Sequence, residues 1–431
     1  MSKTAISVDH IARVEGHGNV HLTIEGGRVV TCEMNVVEPA RLFESMVVGR
    51  KFADVPYIAS RVCGICSASH VITDILAIER IFGVEVTDRT RALRELLVYG
   101  SYLQNHASHL FVFAAPDFLS MESVFPLAKA NPELFDQALG LKALGNELCN
   151  LVGGRSIHPI TAVVGGFTHE PARDEYLAMA DKLDAEREFA MQVVDLFRGF
   201  SVPDIATRGD MLAMVADGRY PVCDSRWARF LDAGLTFDAD KASDEVEEYE
   251  VSHSAALFAR CKQTATPFFT GALARINASW GALSQEAKVA AAKAGLRPPE
   301  RNPYMNNVAQ AVEVLDALSR CAGLCRRLAE PDGEFEGGSK PVAFEVKAGT
   351  GAGFTEAPRG ALFHQLELDD SGRVVHASIM TPTAQNCANL EADMRVLAEA
   401  LVANGAEAPE VQAEVEKLVR AYDPCFSCSV H

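Results

Sequence analysis

Apolar and polar residues alternate across residues 20–37, in two strand-like runs that meet at Gly26-Gly27. That pattern predicts a β-hairpin. From about 68 to 113 the apolar positions recur every three to four residues, with breaks near Gly83 and Asp88. Two helices are expected there, the second ending before Pro116. Segments 132–151 and 170–199 have the same spacing, each with a proline close to its start, and also predict helices. Residues 201–245 are rich in turn formers, and 246–280 read as strand-like. A further helix is expected over 307–329, then a hairpin over 361–381 around Asp369-Asp370-Ser371-Gly372, and a last helix over 408–421. The sum is a mainly α protein with short β elements (α+β) and a large helical-bundle core. It reads as a single domain over 1–431, with a hairpin region at about 1–40 and a tail at 423–431.

Composition narrows the class. The chain has 431 residues, 48% hydrophobic and 23% charged, so it has ample material for a core. Its formal net charge of −18 argues against non-specific binding to nucleic acid or an anionic membrane. The first residues, MSKTAISVDHIARVEG, hold neither an apolar stretch nor a twin-arginine pair, and no apolar run approaches a membrane span. A cytoplasmic protein is expected.

The 11 cysteines carry the chemistry. An odd count in a long chain without a secretion signal does not suggest a disulfide framework. Two clusters stand out: Arg61-Val-Cys63-Gly-Ile-Cys66-Ser-Ala-Ser-His70, and Asp423-Pro-Cys425-Phe-Ser-Cys428-Ser-Val-His431. Each is a C-x-x-C followed by a histidine. Two intervening residues let both sulfurs turn toward one centre, and four thiolates suit zinc, iron, nickel or copper. A structural zinc site is one reading. Against it, paired zinc motifs commonly lie about 15–20 residues apart, whereas Cys63 and Cys425 are 362 apart. A chain with a large core also has little need of a metal staple. A redox C-x-x-C is weaker, since one motif would suffice. The other cysteines, 32, 149, 223, 261, 321, 325 and 387, show no second ligand pattern and read as buried thiols.

Taken together, R-x-C-G-x-C-x-x-x-H and D-P-C-x-x-C-x-x-H resemble the two signatures of the large subunit of nickel–iron hydrogenases. The resemblance extends through Arg13-Val-Glu15-Gly-His17, Ala115-Pro-Asp117-Phe-Leu and Gly153-Gly-Arg155-Ser-Ile-His158-Pro. It continues in Glu356-Ala-Pro-Arg359-Gly and Thr381-Pro-Thr-Ala-Gln-Asn386. The length and these segments look most like the cytoplasmic, cofactor-linked branch, whose members are viologen-, heterodisulfide-reductase- or NAD-linked.

The resemblance implies roles. Cys63 and Cys425 would be terminal nickel ligands, and Cys66 and Cys428 would bridge nickel to iron. The iron would carry two cyanides and one carbon monoxide. Two divalent metals against four thiolates and two cyanides leave a formal charge of about −2 in a buried place. At roughly 4 Å and an effective dielectric near 20, an opposing unit charge gains about 4 kcal/mol. Arg359 matches the family's overhanging arginine and would supply it, orienting cyanide or acting as a base. Cys425 is the other candidate base, and the sequence leaves the two open. Glu15 matches a glutamate that carries protons from the terminal cysteine. His70 would hydrogen-bond a bridging thiolate, and Thr383 a cyanide; without the resemblance His17 and His70 are ordinary structural histidines. Glu44, the Cys387 backbone carbonyl and His431 would hold a magnesium-like cation, an oxygen-rich set suited to a hard ion. Many relatives have glycine where this chain has Leu42. In the family a maturation protease trims the precursor after the closing histidine, so a chain stopping at His431 looks mature.

The function implied is reversible splitting of dihydrogen into protons and electrons. No ferredoxin-like cysteine run is present, so electrons would pass to an iron–sulfur small subunit and then to flavin-containing or heterodisulfide-reductase-type subunits. A hydrogen sensor on the same site and a structural zinc protein are the alternatives. A respiratory-complex scaffold is remote, because such relatives have generally lost the four cysteines.

Overall fold

The computed structural model of the chain describes residues 3–330, 335 and 337–431. The expected hairpin is Gly18–Glu25 paired with Arg28–Val36, and Lys3–Val8 adds a third antiparallel strand beside Gly18–Glu25. Gly26 and Gly27 both have positive φ, 57° and 78°, the left-handed pair that a two-residue turn needs. Val20, Leu22 and Ile24 are buried, while Asn19, His21 and Thr23 between them are partly covered. The sheet rests on a helix from Pro382 to Ala403.

The core is built from the helices Ser67–Phe82, Asp88–Ser108, Pro132–Gly153, Arg173–Ala185, Arg187–Arg198 and Met305–Ala329. Thr87 caps Asp88–Ser108 by accepting from the Thr90 amide at 3.1 Å, and Asn131 caps Pro132–Gly153 through the Leu134 amide at 3.1 Å. These two helices touch closely through glycine: a Cβ on Gly145 would lie 2.6 Å from the Gln104 nitrogen. The expected helix over 170–199 is two helices that meet at Glu186. The helix expected to end before Pro116 is α-helical only to Ser108. It widens into a π-helix over His109–Ala114, and Pro116 falls in the first turn of Ala115–Phe118, where a proline's missing N–H costs nothing.

The turn-rich stretch hides a sheet. Strands Asp210–Val215, Trp227–Phe230 and Thr236–Asp238 pair antiparallel, and Phe268–Phe269 joins Asp210–Val215 in parallel. Val246–Tyr249 and Phe258–Cys261 are strands as expected, but Ala272–Ser279 is helical. The helices Gln285–Lys293 and Pro382–Ala403 had no counterpart in the pattern. The second is masked by its buried polar residues Thr383, Gln385, Asn386 and Asn389, which interrupt any apolar stripe.

The expected hairpin over 361–381 is Gly360–Leu368 with Val374–Met380, and Gly349–Ala357 makes it three-stranded. Gly351 and Gly353 lie on the helix Ser67–Phe82. A Cβ on Gly353 would sit 1.8 Å from the Thr73 carbonyl oxygen, so the strand backbone packs directly on the helix backbone. The helix begins just after Cys66, and the strand leads into Arg359. The largest apolar cluster contains residues from Ile6 to Val430, so both chain ends pack into the same interior.

Candidate metal centre

Cys63 follows a 3-10 turn, Ser60–Val62, in extended conformation, and Cys66 caps the helix Ser67–Phe82. The turn between them brings the Cys66 amide to within 3.1 Å of Cys63 Sγ. The closing segment folds back into the same place. Cys63 Sγ is 3.8 Å from Cys425 Sγ, and Cys66 Sγ is 3.8 Å from Cys428 Sγ. All four are buried. The sulfurs of Cys63, Cys66 and Cys428 lie within 4.8 Å of one another, the only such grouping of possible metal ligands among the described residues. A disulfide joins Cys425 to Cys428; as ligands both must be thiolates.

Charge is organised around the sulfurs. A hydrogen bond from Cys66 holds the Cys63 thiol below its ordinary value, against burial and with help from Arg359. Burial pushes the Cys66 thiol up. Arg359 is 3% exposed. Its Nε donates to the Asp423 backbone oxygen at 2.8 Å and to Asp423 Oδ1 at 3.1 Å. Burial works to lower its pKa, but Asp423, Cys63 and Cys66 win and hold the guanidinium charged. Burial opposes ionisation of Asp423 too, yet Arg359, His109, Asn105 and Gln310 keep its carboxyl below the usual range. Arg359 Nη1 and Nη2 are buried without a protein partner.

Glu15 meets the closing segment edge to edge. Its backbone forms a parallel bridge with Cys425, and its carbonyl accepts from the Phe426 amide at 2.9 Å. Its carboxylate oxygen Oε2 lies 2.8 Å from Cys425 Sγ, hydrogen-bond distance once that sulfur is reduced and carries a proton, and it accepts from the Ser427 amide at 3.3 Å and from the Ser427 hydroxyl. Thr383 Oγ1 accepts from the Cys425 amide at 2.9 Å, which leaves its own hydroxyl hydrogen for another acceptor. Arg41 ties the segments together: its amide donates to the Val430 carbonyl at 2.8 Å, and its guanidinium reaches the carbonyls of Val62 and Ser427. Leu42 stands in the left-handed region at φ 56° and is largely exposed. Glycine would adopt that backbone without strain. His17 is peripheral and pairs with Glu38.

The expected cation seat needs one correction. Cys387 lies inside the helix Pro382–Ala403, so its carbonyl belongs to the helical ladder. The backbone at the seat is that of Ile379. Its amide donates to Glu44 Oε1 at 2.7 Å, and its backbone acts on the His431 imidazole. His431 Nδ1 bonds to the Cys428 carbonyl at 2.9 Å, and Nε2 lies 4.0 Å from Glu44 Oε1. Burial lowers the His431 pKa and favours the neutral, ligating form. Glu248 was not foreseen. Burial first and Glu44 second push its carboxyl up to about 8, and its Oε1 has no partner. Nothing around Glu248 in the sequence distinguishes it from a surface strand residue.

His70 is buried beside a histidine that sequence reading also passed over. His70 Nδ1 is 3.0 Å from His364 Nε2, and His364 Nδ1 is 2.7 Å from Asp74 Oδ1. With Asp74 ionised, both imidazoles donate toward it and His70 Nε2 is an acceptor. Donation from His70 to a thiolate therefore requires one more proton on the His70–His364–Asp74 chain.

The residues present fit a soft-metal centre: four convergent sulfurs, a fixed cation, and two unpartnered donors on Arg359 for small anionic ligands. The remaining cysteines are buried thiols.

The comparisons agree. A family model described as nickel-dependent hydrogenase matches residues 41–134 and 312–431. The chain is 32% identical over 430 residues to sulfhydrogenase 2 subunit alpha of Pyrococcus furiosus, covering 99% of this chain and 98% of the relative. It is 27% identical to the NAD-reducing hydrogenase HoxS subunit beta of Cupriavidus necator, over 98% and 94% of the two chains. A crystal structure of an NAD+-reducing [NiFe]-hydrogenase in the H2-reduced state superposes with a TM-score of 0.87 at 27% identity, covering 99% of both chains.

Proposed function

Because the chain belongs to the nickel-dependent hydrogenase family, as a large subunit that cleaves dihydrogen, we propose that Cys63, Cys66, Cys425 and Cys428 hold a nickel–iron pair. Cys63 and Cys425 would hold nickel, and Cys66 and Cys428 would hold both metals. With cyanide and carbon monoxide on iron, the pair supplies when bound the Lewis acid that polarises dihydrogen and takes up its electron pair.

The protein's own part is the field and the proton. Arg359, fixed by Asp423, offsets the negative charge of the sulfurs and offers two donors to the cyanides, with Thr383 offering another. Because Arg359 is held charged, it is the weaker of the two candidate bases. The Cys425 thiolate takes the proton, and Glu15, 2.8 Å away, receives it. Ser427 keeps Glu15 in place. Burial of all four sulfurs keeps water from the reacting atoms. Glu44, His431 and the Ile379 carbonyl hold a magnesium-like cation that braces the tail, with Glu248 facing it.

Electrons leave through partners: an iron–sulfur small subunit, and beyond it flavin-containing or heterodisulfide-reductase-type subunits. The NAD-reducing relative supports a nicotinamide-linked assembly. A landing surface lies beside the opening cysteines. His158 bonds to Ser60 and Ser67, while Tyr57, Ile157 and Ile160 remain exposed around it. No described helix is long and apolar enough to cross a membrane. On the family likeness, residues 1–431 form one large-subunit domain of a cytoplasmic complex whose partners include a maturation protease.

The observation that carries the reading is the meeting of both C-x-x-C turns beside a buried arginine with two unpartnered nitrogens. Elemental analysis with infrared spectroscopy tests it. The reading requires nickel and iron near equal amounts, with cyanide and carbonyl stretches; zinc alone refutes it.

A further inference from the structure

Arg359 stands at the tip of a hairpin. Ala357 and Gly360 are the last paired residues of Gly349–Ala357 and Gly360–Leu368, so Pro358 and Arg359 form the two-residue turn between them. The backbone on either side of Arg359 is gripped by side chains that have no part in the reaction as described above. Arg275, on the helix Ala272–Ser279, donates from Nη1 to the Ala357 carbonyl and from Nη2 to the Pro358 carbonyl, both at 2.9 Å. The Tyr102 hydroxyl donates to the Glu356 carbonyl at 3.0 Å. Past the turn, Thr270 Oγ1 accepts from the Ala361 amide at 2.8 Å.

A guanidinium carries five N–H donors in one plane, and Arg275 spends all of them. Two go to the turn carbonyls; the other three go to Glu313 Oε1 at 2.7 Å, Glu313 Oε2 at 2.8 Å and Glu356 Oε2 at 3.1 Å. The Tyr102 ring lies against the same cation, its centroid 4.8 Å from Cζ. Glu313 is a firm anchor. Burial works against its charge, but Arg275 pulls its carboxyl down to about 2, and His106 Nε2 lies 2.9 Å from Oε2. Arg275, Glu313 and Glu356 are all buried. A buried ion pair adds little stability over an apolar core of the same shape. What this one adds is direction, because a planar fork clamped on carboxylates delivers its remaining donors to two successive carbonyls.

Arg359 is therefore held at both ends. Asp423 fixes its Nε, and Arg275 with Tyr102 fixes the peptides that lead into it. These holds set the aim of Nη1 and Nη2, which have no protein partner. We propose that Arg275 is a positioning residue for Arg359: together with Tyr102 it fixes the three carbonyls immediately before Arg359, and so sets where the two unpartnered nitrogens meet the diatomic ligands on iron. The proposal rests on the reading that Arg359 faces the cyanides. It requires no proton transfer and no change of charge.

The test uses the assembled enzyme, with infrared cyanide and carbonyl bands, metal content and hydrogen uptake read on each variant. Arg275→Lys keeps the charge but gathers its donors on one nitrogen, which Glu313 and Glu356 claim, so the turn carbonyls are released. Nickel and iron should stay bound. The kcat should fall about tenfold while KM for dihydrogen is unchanged, and the cyanide bands should move toward their positions in Arg359→Lys. Added to Arg359→Lys, the same substitution should change bands and rate little further, because a lysine drawn to Asp423 leaves nothing to aim. Unmoved cyanide bands in Arg275→Lys, with Arg359→Lys displaced, overturn the proposal. So does a double variant in which the two effects simply add, the mark of a merely structural residue. Unmoved bands and rate in Arg359→Lys refute the reading of Arg359 itself, and the proposal falls with it. Should Arg275→Lys fail to load the metals, Tyr102→Phe decides. It removes only the hydroxyl on the Glu356 carbonyl, and it should displace the same bands by less, with no displacement once Arg359→Lys is present. Bands that stay in place in Tyr102→Phe then overturn the proposal.

Discussion

Arg359 engages Asp423 through one nitrogen and leaves two buried without a protein partner, an arrangement only a planar, forked cation can make. A lysine has one charged nitrogen and must choose between the two sides. Arg359→Lys should therefore lower turnover about 100-fold while nickel and iron content stays unchanged, as measured by hydrogen uptake beside metal analysis. A second residue-scale effect lies away from the metals. Burial, then Asp224, raise the Glu95 carboxyl to about 7, with Arg320, Arg219 and Arg327 opposing. The folded state holds that proton more tightly than the unfolded one does. The contribution to stability is complete below the unfolded value of 4.5 and is lost as pH rises through about 7. Glu95→Gln should be more stable than the native chain by up to ~3 kcal/mol at pH 8, and the gap should shrink to about 1 kcal/mol or less by pH 5. Denaturant unfolding at the two pH values checks it. At this scale the ligands were the most legible part of the site, because a cysteine motif states its chemistry outright. Glu248, Asn105 and His364 were opaque, since their meaning comes from partners far away in the chain.

Elements were legible where one face met a core and the other met water, as in Gly18–Val36 and Ala408–Ala421. They were illegible where polar side chains turn inward for the site. Pro382–Ala403 is the clearest case, with Thr383, Gln385 and Asn386 buried in its first turns. The strand Gly349–Ala357 failed differently. Its glycines carry no apolar alternation, yet they let backbone lie on backbone. Gly353→Ala should cost more than ~3 kcal/mol, because the added carbon meets a main-chain oxygen that cannot step aside. Gly323→Ala, with nothing within 4 Å inside the helix Met305–Ala329, should gain about 0.5–1 kcal/mol. Thermal unfolding of the two variants side by side gives the contrast. Equal effects would refute the packing account.

At the scale of the molecule, the site is a knot of chain ends on a helical body. Glu15, Arg41 and the tail from Asp423 hold one another, while Asp88–Ser108 meets the tail at Asn105 and is otherwise packed in the helical core. Chelating the metals should thus raise amide exchange at Phe426, Ser427 and Arg41 by about tenfold or more and leave the amides of Asp88–Ser108 protected. Hydrogen-exchange mass spectrometry reads both regions at once. Loss of protection throughout would mean that the metals hold the body as well.

The same arrangement sets a schedule during synthesis. Cys66 and Cys428 are 362 residues apart, and a ribosome adding about 5–20 residues per second needs roughly 20–70 s to travel between them. For that interval each nascent chain carries two thiols with no counterpart. Stray zinc or an oxidant arriving then would find half a socket, and only a reducing cell interior or a dedicated escort keeps it vacant until translation ends.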